Sequence, residues 1–383
     1  MLGFSSFLVE SLETDKLTHL EHAEDHPINA GAAGFDHAVN TLSQVHAGLT
    51  GKKSEAKVTT KYDGSPSIVF GHHPQSGKFF VATKSAFNAN PKINYTHDDI
   101  ERNHGHAPGL VEKLRHALTH LPKVTPKKGV YQGDLMYSGD DVSKENNKVN
   151  FNPNTITYST PENSKLGKKV SSSKIGVAVH TQYHGKDLES MKASFGPSLK
   201  NFKKHKDVHI INTESSTSSK LTPEQSKAFN SEIQKAKELH KDHDYSHLDG
   251  HQEHVSTYIN KTVRDGTTPN AKDLKKHIAA RYDAKASKLK TEKSKTAINL
   301  KKTAALNHVD TNKDAFNRTF AIHGHLQAAK NYLVSALDDG QEFEHSINGK
   351  ATGPEGHVAI VDNKPTKLVN RANFSKANFE KNN

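Results

Sequence analysis

The spacing of apolar residues changes twice along this chain. In the first part, HAVNTLSQVHAGL places Val39, Leu42, Val45 and Leu49 three and four residues apart, the interval of one helix face, and Gly51 ends the pattern. From residue 56 to 212 the apolar residues fall instead into short runs. EAKVTTKY, SPSIVFGH, KFFVATKS, KKGVYQGDLMYS, NTITYS, KIGVAVHTQY and DVHIIN are rich in Val, Ile, Phe, Tyr or Thr and bounded by Gly, Pro, Asn or Ser, which predicts strands. HHPQSGK between two of them predicts a hairpin loop. One helix interrupts this stretch: APGLVEKLRHALTHL puts Leu110, Leu114, Leu118 and Leu121 on one side. From 213 to 338 the strand pattern disappears. LTPEQSKAFNSEIQKAKELHK carries a helix start at Thr222, Pro223 and Glu224, and KDAFNRTFAIHGHLQAAKNYLVSAL is the most apolar helical pattern of the region. The strand pattern then returns in EFEHSIN, GHVAIVDN and TKLVNR. The expected organisation is an α+β fold: a helical lead-in at 1–55, a strand-rich body at 56–212, a helical insertion at 213–338, and completion of the body at 339–383.

Composition narrows the function classes. Only 33% of the 383 residues are hydrophobic, so much of the chain must face solvent. There is no cysteine, which excludes disulfides, thiolate metal sites and cysteine nucleophiles and fits an intracellular, cytoplasmic protein. The first residues, MLGFSSFLVESLETDKL, lack the basic start and apolar centre of a signal peptide. No apolar run reaches the roughly 20 residues of a membrane span. Fifty-three basic residues oppose 42 acidic ones, a net charge of +11, which favours a polyanionic partner such as nucleic acid. Between 261 and 302 there are 13 Lys/Arg and 4 Asp/Glu, a net of +9 (13 − 4).

Against this background Lys61-Tyr62-Asp63-Gly64 carries the clearest chemistry. A lysine with its ordinary pKa of about 10.4 is protonated at neutral pH and a poor nucleophile. At a strand end, desolvated and near other cations, it can lose that proton and attack a phosphorus or carbonyl centre. Asp63 can orient the amine or a ribose hydroxyl, and Gly64 allows close approach of a nucleotide to the backbone. An ordinary surface turn has the same four letters, so the partners decide. Lys84 and Ser85 stand at a strand end, where a cation and a hydroxyl can hold phosphate. Asp134 follows Gly133 and can accept ribose hydroxyls or assist a metal. Glu355-Gly356 enters an apolar strand, placed to bind a divalent metal. Lys367 and Arg371 are cations suited to the α-phosphate and the departing pyrophosphate. Amine attack on an α-phosphorus gathers negative charge on phosphoryl oxygens, which calls for Mg²⁺ or Mn²⁺ held by oxygen ligands, and for fixed cations.

In this order the segments resemble the covalent nucleotidyltransferase superfamily of polynucleotide ligases and mRNA capping enzymes. KYDGS looks like motif I, with Lys61 the adenylated residue and Thr60, Gly64 and Ser65 lining the nucleotide. TKS resembles motif Ia, YQGDL motif III, KIGVAVHTQY motif IIIa, PEGHVAI motif IV and TKLVNR motif V. KSAFNANPKINYT and KLVNRANFSKAN are further similar to RNA-ligase-like proteins of tailed phages. The resemblance implies two antiparallel sheets around a nucleotide cleft. It also implies ATP and Mg²⁺ as cofactors, Asp63 and Lys367 as catalytic beside Lys61, and Asp134 and Glu355 as metal ligands. The implied activity is ATP-dependent ligation, with RNA preferred over DNA, in the cytoplasm of a phage-infected bacterial cell. A GTP-using capping-type enzyme and a catalytically silent nucleic-acid-binding or virion-associated protein are the alternatives. The basic helical insertion is expected to grip the nucleic acid, because only about a dozen residues follow Arg371, too few for the OB-fold that DNA-sealing ligases carry.

The chain departs from the pattern at three points. Asp134 replaces the usual glutamate of motif III, Val369 stands where motif V has a second lysine, and Val177–Val179 offers no aromatic residue to stack on a base, leaving Tyr183 as a candidate. His243, His247, His251 and His254 recur at three- and four-residue spacing, which would place them on one helical face; in a chain with 27 histidines they read as solvent-exposed rather than as metal ligands.

Overall fold

The computed structural model describes residues 20–215 and 220–371. Helix α1 (His26–Leu49) leads to strands β1 (Lys57–Lys61), β2 (Ser67–His72) and β3 (Phe79–Ala82). Helices α2 (His97–His104) and α3 (Pro108–His120) follow, then β4 (Val130–Ser138), β5 (Val142–Glu145), β6 (Lys148–Phe151) and β7 (Thr157–Pro161). A short helix α4 (Lys165–Ser172) precedes β8 (Ile175–His184), β9 (Lys192–Phe195) and β10 (Val208–Ile211). Then come helices α5 (Pro223–His240), α6 (Gln252–Asp265), α7 (Ala271–Ala286), α8 (Glu292–Thr311) and α9 (Lys313–Asp338). Strands β11 (Glu344–Ile347), β12 (Lys350–Thr352), β13 (Gly356–Val361) and β14 (Lys364–Leu368) close the described chain. The fold is α+β, and it separates into two compact units. One is made of residues 57–215 and 340–365, the other of 21–56, 220–339 and 366–371.

The first unit holds the sheets. Six strands form the largest, in the order β10-β8-β4-β2-β3 with β9 also on β8. All its pairs are antiparallel except β10–β8, which is parallel. Strand β2 is apolar without alternation because both its faces are covered. Ile68 and Phe70 join Tyr131, Leu135, Val177 and Val179 under Val111, Leu114, Ala117 and Leu121 on one side. Val69 packs with Phe80, Tyr183, Leu188 and Met191 on the other. A five-stranded sheet, β12-β11-β7-β6-β5, and a three-stranded one, β1-β13-β14, complete the strands. Three sheets with one parallel pair thus replace the two antiparallel sheets the resemblance implied. The hairpin β5–β6 went unread in the sequence; Asn146 and Asn147, at φ 52° and 60°, make its turn.

The second unit is helical. Helix α9, 26 residues long, buries Phe316, Phe320, Ile322, Leu326, Leu333 and Leu337. The described part of the N-terminal lead-in is α1, and it belongs to this unit rather than standing alone. Phe35 stacks on His240 at 3.8 Å and His46 on Phe229 at 4.4 Å. Helix α5 starts in the expected way, with a capping box between Thr222 and Gln225.

The four spaced histidines do not share a helical face. His243 lies before the helical turn Ser246–Leu248, His247 within it, His251 caps α6 and only His254 is inside α6. His247 is buried, and its imidazole and that of His243 both bond the Thr319 hydroxyl, at 3.0 and 2.9 Å. The expectation of solvent exposure is corrected: a turn rather than a helix carries His247 inward, and His243, His251 and His254 are half-buried. Among the described residues no helix is long and apolar enough to cross a membrane.

A charged cluster lies in the centre of the helical unit. Lys330, fully buried on α9, donates to Glu24 at 2.5 Å. Burial is the largest influence on Glu24 and would raise it, but Lys330 together with His22 and His323 outweighs it and holds the carboxyl below its usual value. His323 bonds Asp25 at 3.0 Å. A buried charge without its partner is far costlier than an apolar side chain of the same size. Lys330→Met is therefore expected to destabilise the helical unit by about 3–5 kcal/mol. The double change Glu24→Leu with Lys330→Met should recover most of that loss in urea unfolding followed by far-UV circular dichroism. A single variant as stable as the wild type would contradict the pairing.

Candidate functional site around Lys61

Strand β1 delivers Lys61 to the edge of its sheet. The antiparallel register sets Lys61 opposite Gly356, so the residue before it, Glu355, meets the lysine directly. Gly356 has φ 142°, a conformation open to glycine, and this lets the chain turn into β13 with Glu355 facing back. The Lys61 ammonium donates to Glu355 Oε1 in an ion pair whose side chains are 28% and 14% exposed. The other oxygen, Oε2, is buried and has no hydrogen-bond partner among the described residues. Burial pushes the Glu355 carboxyl up from its ordinary value; Lys61 opposes the rise, while Asp63 and Asp134 add to it.

The turn after Lys61 is pinned on both sides. Asp63 accepts three hydrogen bonds: from Asn154 Nδ2 at 2.8 Å and from the backbone N–H groups of Thr155 and Ile156 at 2.7 and 3.0 Å. Its own N–H donates to the Tyr158 hydroxyl at 2.7 Å. Tyr62 is buried against Tyr158 and Phe343. Asp63 therefore holds the 154–156 loop, a structural task that the sequence reading had not given it. Gly64 presses on β4: a Cβ there would come within 2.6 Å of Asp134 Cβ and 2.8 Å of Met136 Sδ. The Ser65 N–H donates to the Leu135 carbonyl at 3.0 Å, which joins the turn to the large sheet. Lys113 on α3 reaches the Ser65 carbonyl at 3.1 Å. Thr60 faces Ser215 and Gln341, each at 3.2 Å from its hydroxyl.

Asp134 sits on β4 opposite Ser67 of β2 and Ala178 of β8. The β4–β8 register slips between Gln132↔Thr181 and Gly133↔Val179, leaving His180 as the extra residue of a bulge. Its imidazole comes within 3.6 Å of Asp134. Burial would raise Asp134, but His180, then Lys61 and the Ser67 hydroxyl, outweigh it and hold the carboxyl below its usual value. His180 was missed by sequence reasoning. The only sign of it is the break in apolar alternation at VAVHTQ.

Strand β3 ends at Ala82, which pairs with Val69, and Lys84 follows at the same end of the sheet as Ser67 and Asp134. Lys84 is exposed; Thr83 caps its helical turn by accepting from the Ser85 N–H. Tyr183, the candidate base-stacking residue, is instead buried beneath the sheet, where its hydroxyl donates to Gln132 at 2.5 Å and its ring lies 4.6 Å from Phe87.

The structure brings Thr60, Lys61, Asp63, Gly64, Ser65, Asp134 and Glu355 together in the first unit. Lys367 and Arg371 fall in the second. The Lys367 N–H donates to the Glu21 carbonyl at 2.7 Å. Arg371 is buried; it binds Asp25 at 2.9 and 3.0 Å and also Asn260. Its expected role toward a phosphate is corrected: its guanidinium is engaged by Asp25 and Asn260 and lies 3.8 Å from the buried Glu24. No group of three or more His, Asp or Glu side chains suited to a metal occurs among the described residues. Asp134 and Glu355 supply two carboxylates, the number with which proteins often hold Mg²⁺ when substrate phosphates supply the rest.

Comparison with known families gives one result. The model of a family of unknown function, DUF6267, matches residues 16–383, and the chain belongs to that family. Neither the curated proteins nor the solved structures contain a match.

Because Asp63 satisfies backbone donors of its own chain, Asp63→Asn is expected to destabilise the strand-rich unit by about 1–3 kcal/mol in the absence of any ligand. A thermal melt without nucleotide reads this. An unchanged melt would mean that the carboxylate serves a ligand and not the loop.

Proposed function

We propose that this DUF6267 member is an ATP-dependent covalent nucleotidyltransferase that joins polynucleotide ends, RNA rather than DNA. The observation that carries the reading is the Lys61–Glu355 ion pair set among Asp63 and Asp134, with a buried Glu355 oxygen that has no donor. In this reading the two sheets that meet at Lys61 flank a nucleotide. The choice of RNA rests on the similarity to phage RNA-ligase-like sequences.

The chemistry follows from the pairing. Glu355, its carboxyl raised by burial, takes a proton from the Lys61 ammonium. The Lys61 amine then attacks the α-phosphorus of ATP: an N–P bond forms, the P–O bond to the β-phosphate breaks, and pyrophosphate leaves. Lys84 faces the departing phosphates as an exposed cation. Asp134, kept ionised by His180, accepts a ribose hydroxyl. The AMP next passes to a 5′-phosphate end, and a 3′-hydroxyl displaces it to seal the strand. Asp134 and Glu355 would hold Mg²⁺, and the orphaned Glu355 oxygen fits such an ion. When bound it supplies positive charge to the phosphoryl oxygens.

A second reading has one observation in its favour. Arg371, expected at the pyrophosphate, is held by Asp25 and Asn260, as it would be in a catalytically silent nucleic-acid-binding relative. Incubation with α-labelled ATP or GTP and Mg²⁺ separates the readings. Wild type should take up label from ATP, and Lys61→Ala should take up none. Label from GTP alone would indicate capping-type chemistry, and no label from either would leave the silent relative.

The rate of labelling should also depend on pH. In this reading the proton acceptor is the Glu355 carboxylate, which burial raises and Mg²⁺ at the same carboxyl would lower. Labelling is thus expected to fall on acidification as Glu355 becomes protonated, and to be slow at every pH in Glu355→Gln. Full activity of Glu355→Gln would remove the carboxylate from the mechanism.

A further inference from the structure

The basic charge of the helical unit is not spread evenly once its ion pairs are traced. Of the 13 Lys/Arg between 261 and 302, six are neutralised. Lys261 pairs with Asp265, Lys275 with Asp310, Lys276 with Asp273, Arg281 with Glu253, Lys295 with Glu292, and Lys302 with Asp283. These pairs lie along α6, α7 and α8; of the other seven cations Arg264, Lys272 and Lys301 are scattered, and the remaining four lie together.

The bend between α7 and α8 is different. Lys285 ends α7, Lys288 and Lys290 lie in the turn, and Lys293 stands in the first turn of α8. All four are exposed, and among the described residues none forms an ion pair. The one acid within 285–293, Glu292, is already bound to Lys295. The bend thus concentrates four cations on long flexible stems; Lys285 acts at a distance on Glu253, which is already bound to Arg281. No aromatic side chain lies between 285 and 293, so the bend offers charge without a ring to insert or stack.

We propose that the α7–α8 bend is a sequence-independent docking site for the phosphate backbone of single-stranded RNA, made by Lys285, Lys288, Lys290 and Lys293. Mobile point charges suit a repeating phosphate chain, because each lysine can meet a phosphate without fixing the base beside it. The preference for RNA over other polyanions rests on the ligase reading given above. The site itself lies on the helical unit and uses no residue of the Lys61 group.

Contacts of this type release counterions, so they are measured by salt dependence. For single strands the slope of log K against log salt changes by about 0.7 for each phosphate neutralised. Removing four contacts should make the slope shallower by about 3.

The experiment uses the full-length protein and fluorescein-labelled oligouridylate in anisotropy titrations over a range of salt. Lys285→Gln, Lys288→Gln, Lys290→Gln and Lys293→Gln are combined in one variant. A control removes the same charge from exposed lysines elsewhere on the unit, Lys52, Lys53, Lys237 and Lys241. Should the fourfold variant melt below wild type, the pair Lys288→Gln with Lys290→Gln, confined to the turn, replaces it with half the expected change in slope.

The expected result is a loss of at least tenfold in affinity and a shallower slope for the bend variant, with little change in the control. Equal losses in both variants would reduce the effect to net charge and overturn the proposal. So would wild-type binding by the bend variant, or a defect confined to vesicles of anionic phospholipid. If wild type shows no nucleotide labelling while the bend variant loses RNA, the ligase reading falls and the docking site stands.

Discussion

Three carboxylates gathered around one lysine set the terms for the strand-rich unit. Asp63 and Asp134 both lie close enough to Glu355 to raise its carboxyl, and without compensation they would repel it. The fold answers each differently. Asp63 is satisfied by backbone N–H groups, Asp134 by an imidazole, and Glu355 by Lys61. The last pair is the least settled of the three, since one Glu355 oxygen is buried without a donor and its carboxyl is pushed toward the protonated form. In the proposed reading, that imbalance would serve to move a proton from the lysine and to receive a cation with its phosphates.

The backbone devices that create this arrangement are small. A turn with glycine at 64 lets residues 61–65 lie against β4, and a one-residue bulge in β8 aims His180 at Asp134. Either device alone would leave a carboxylate uncompensated. In the helical unit the same principle operates on another cluster, where Lys330 and Arg371 balance Glu24 and Asp25. Arg371 serves that balance, which explains why a cation well placed in the sequence for phosphate binding is drawn into a protein interior instead.

Local periodicity made most strands of 56–212 and the helices beyond 220 legible, because burial on one or both faces writes itself into apolar spacing. Lys61, Asp134 and Glu355 were legible as a set through residue type and order. The tasks of the individual side chains were not. Asp63 read as a ligand-orienting group because its partners, Asn154 to Ile156, are some ninety residues away and contribute mainly backbone N–H groups, which no side-chain motif encodes. His180 was invisible because a bulge is a property of pairing between strands. The buried histidine at 247 and the pairing of Arg371 depended on packing of the helices, which charge and spacing along the chain do not specify. The evenly basic look of 261–302 was likewise misleading, since Asp310 and Glu253, outside the stretch, neutralise part of it.

The central claim is that Lys61 becomes covalently nucleotidylated, and locating the attached group tests it most directly. After incubation with ATP and Mg²⁺, wild-type protein would be proteolysed at neutral pH and its peptides sequenced by tandem mass spectrometry. The account predicts one AMP on the peptide containing Lys61, through a linkage labile to acid and stable to base, as a phosphoramidate is. AMP on any other residue, or an acid-stable linkage, would contradict it.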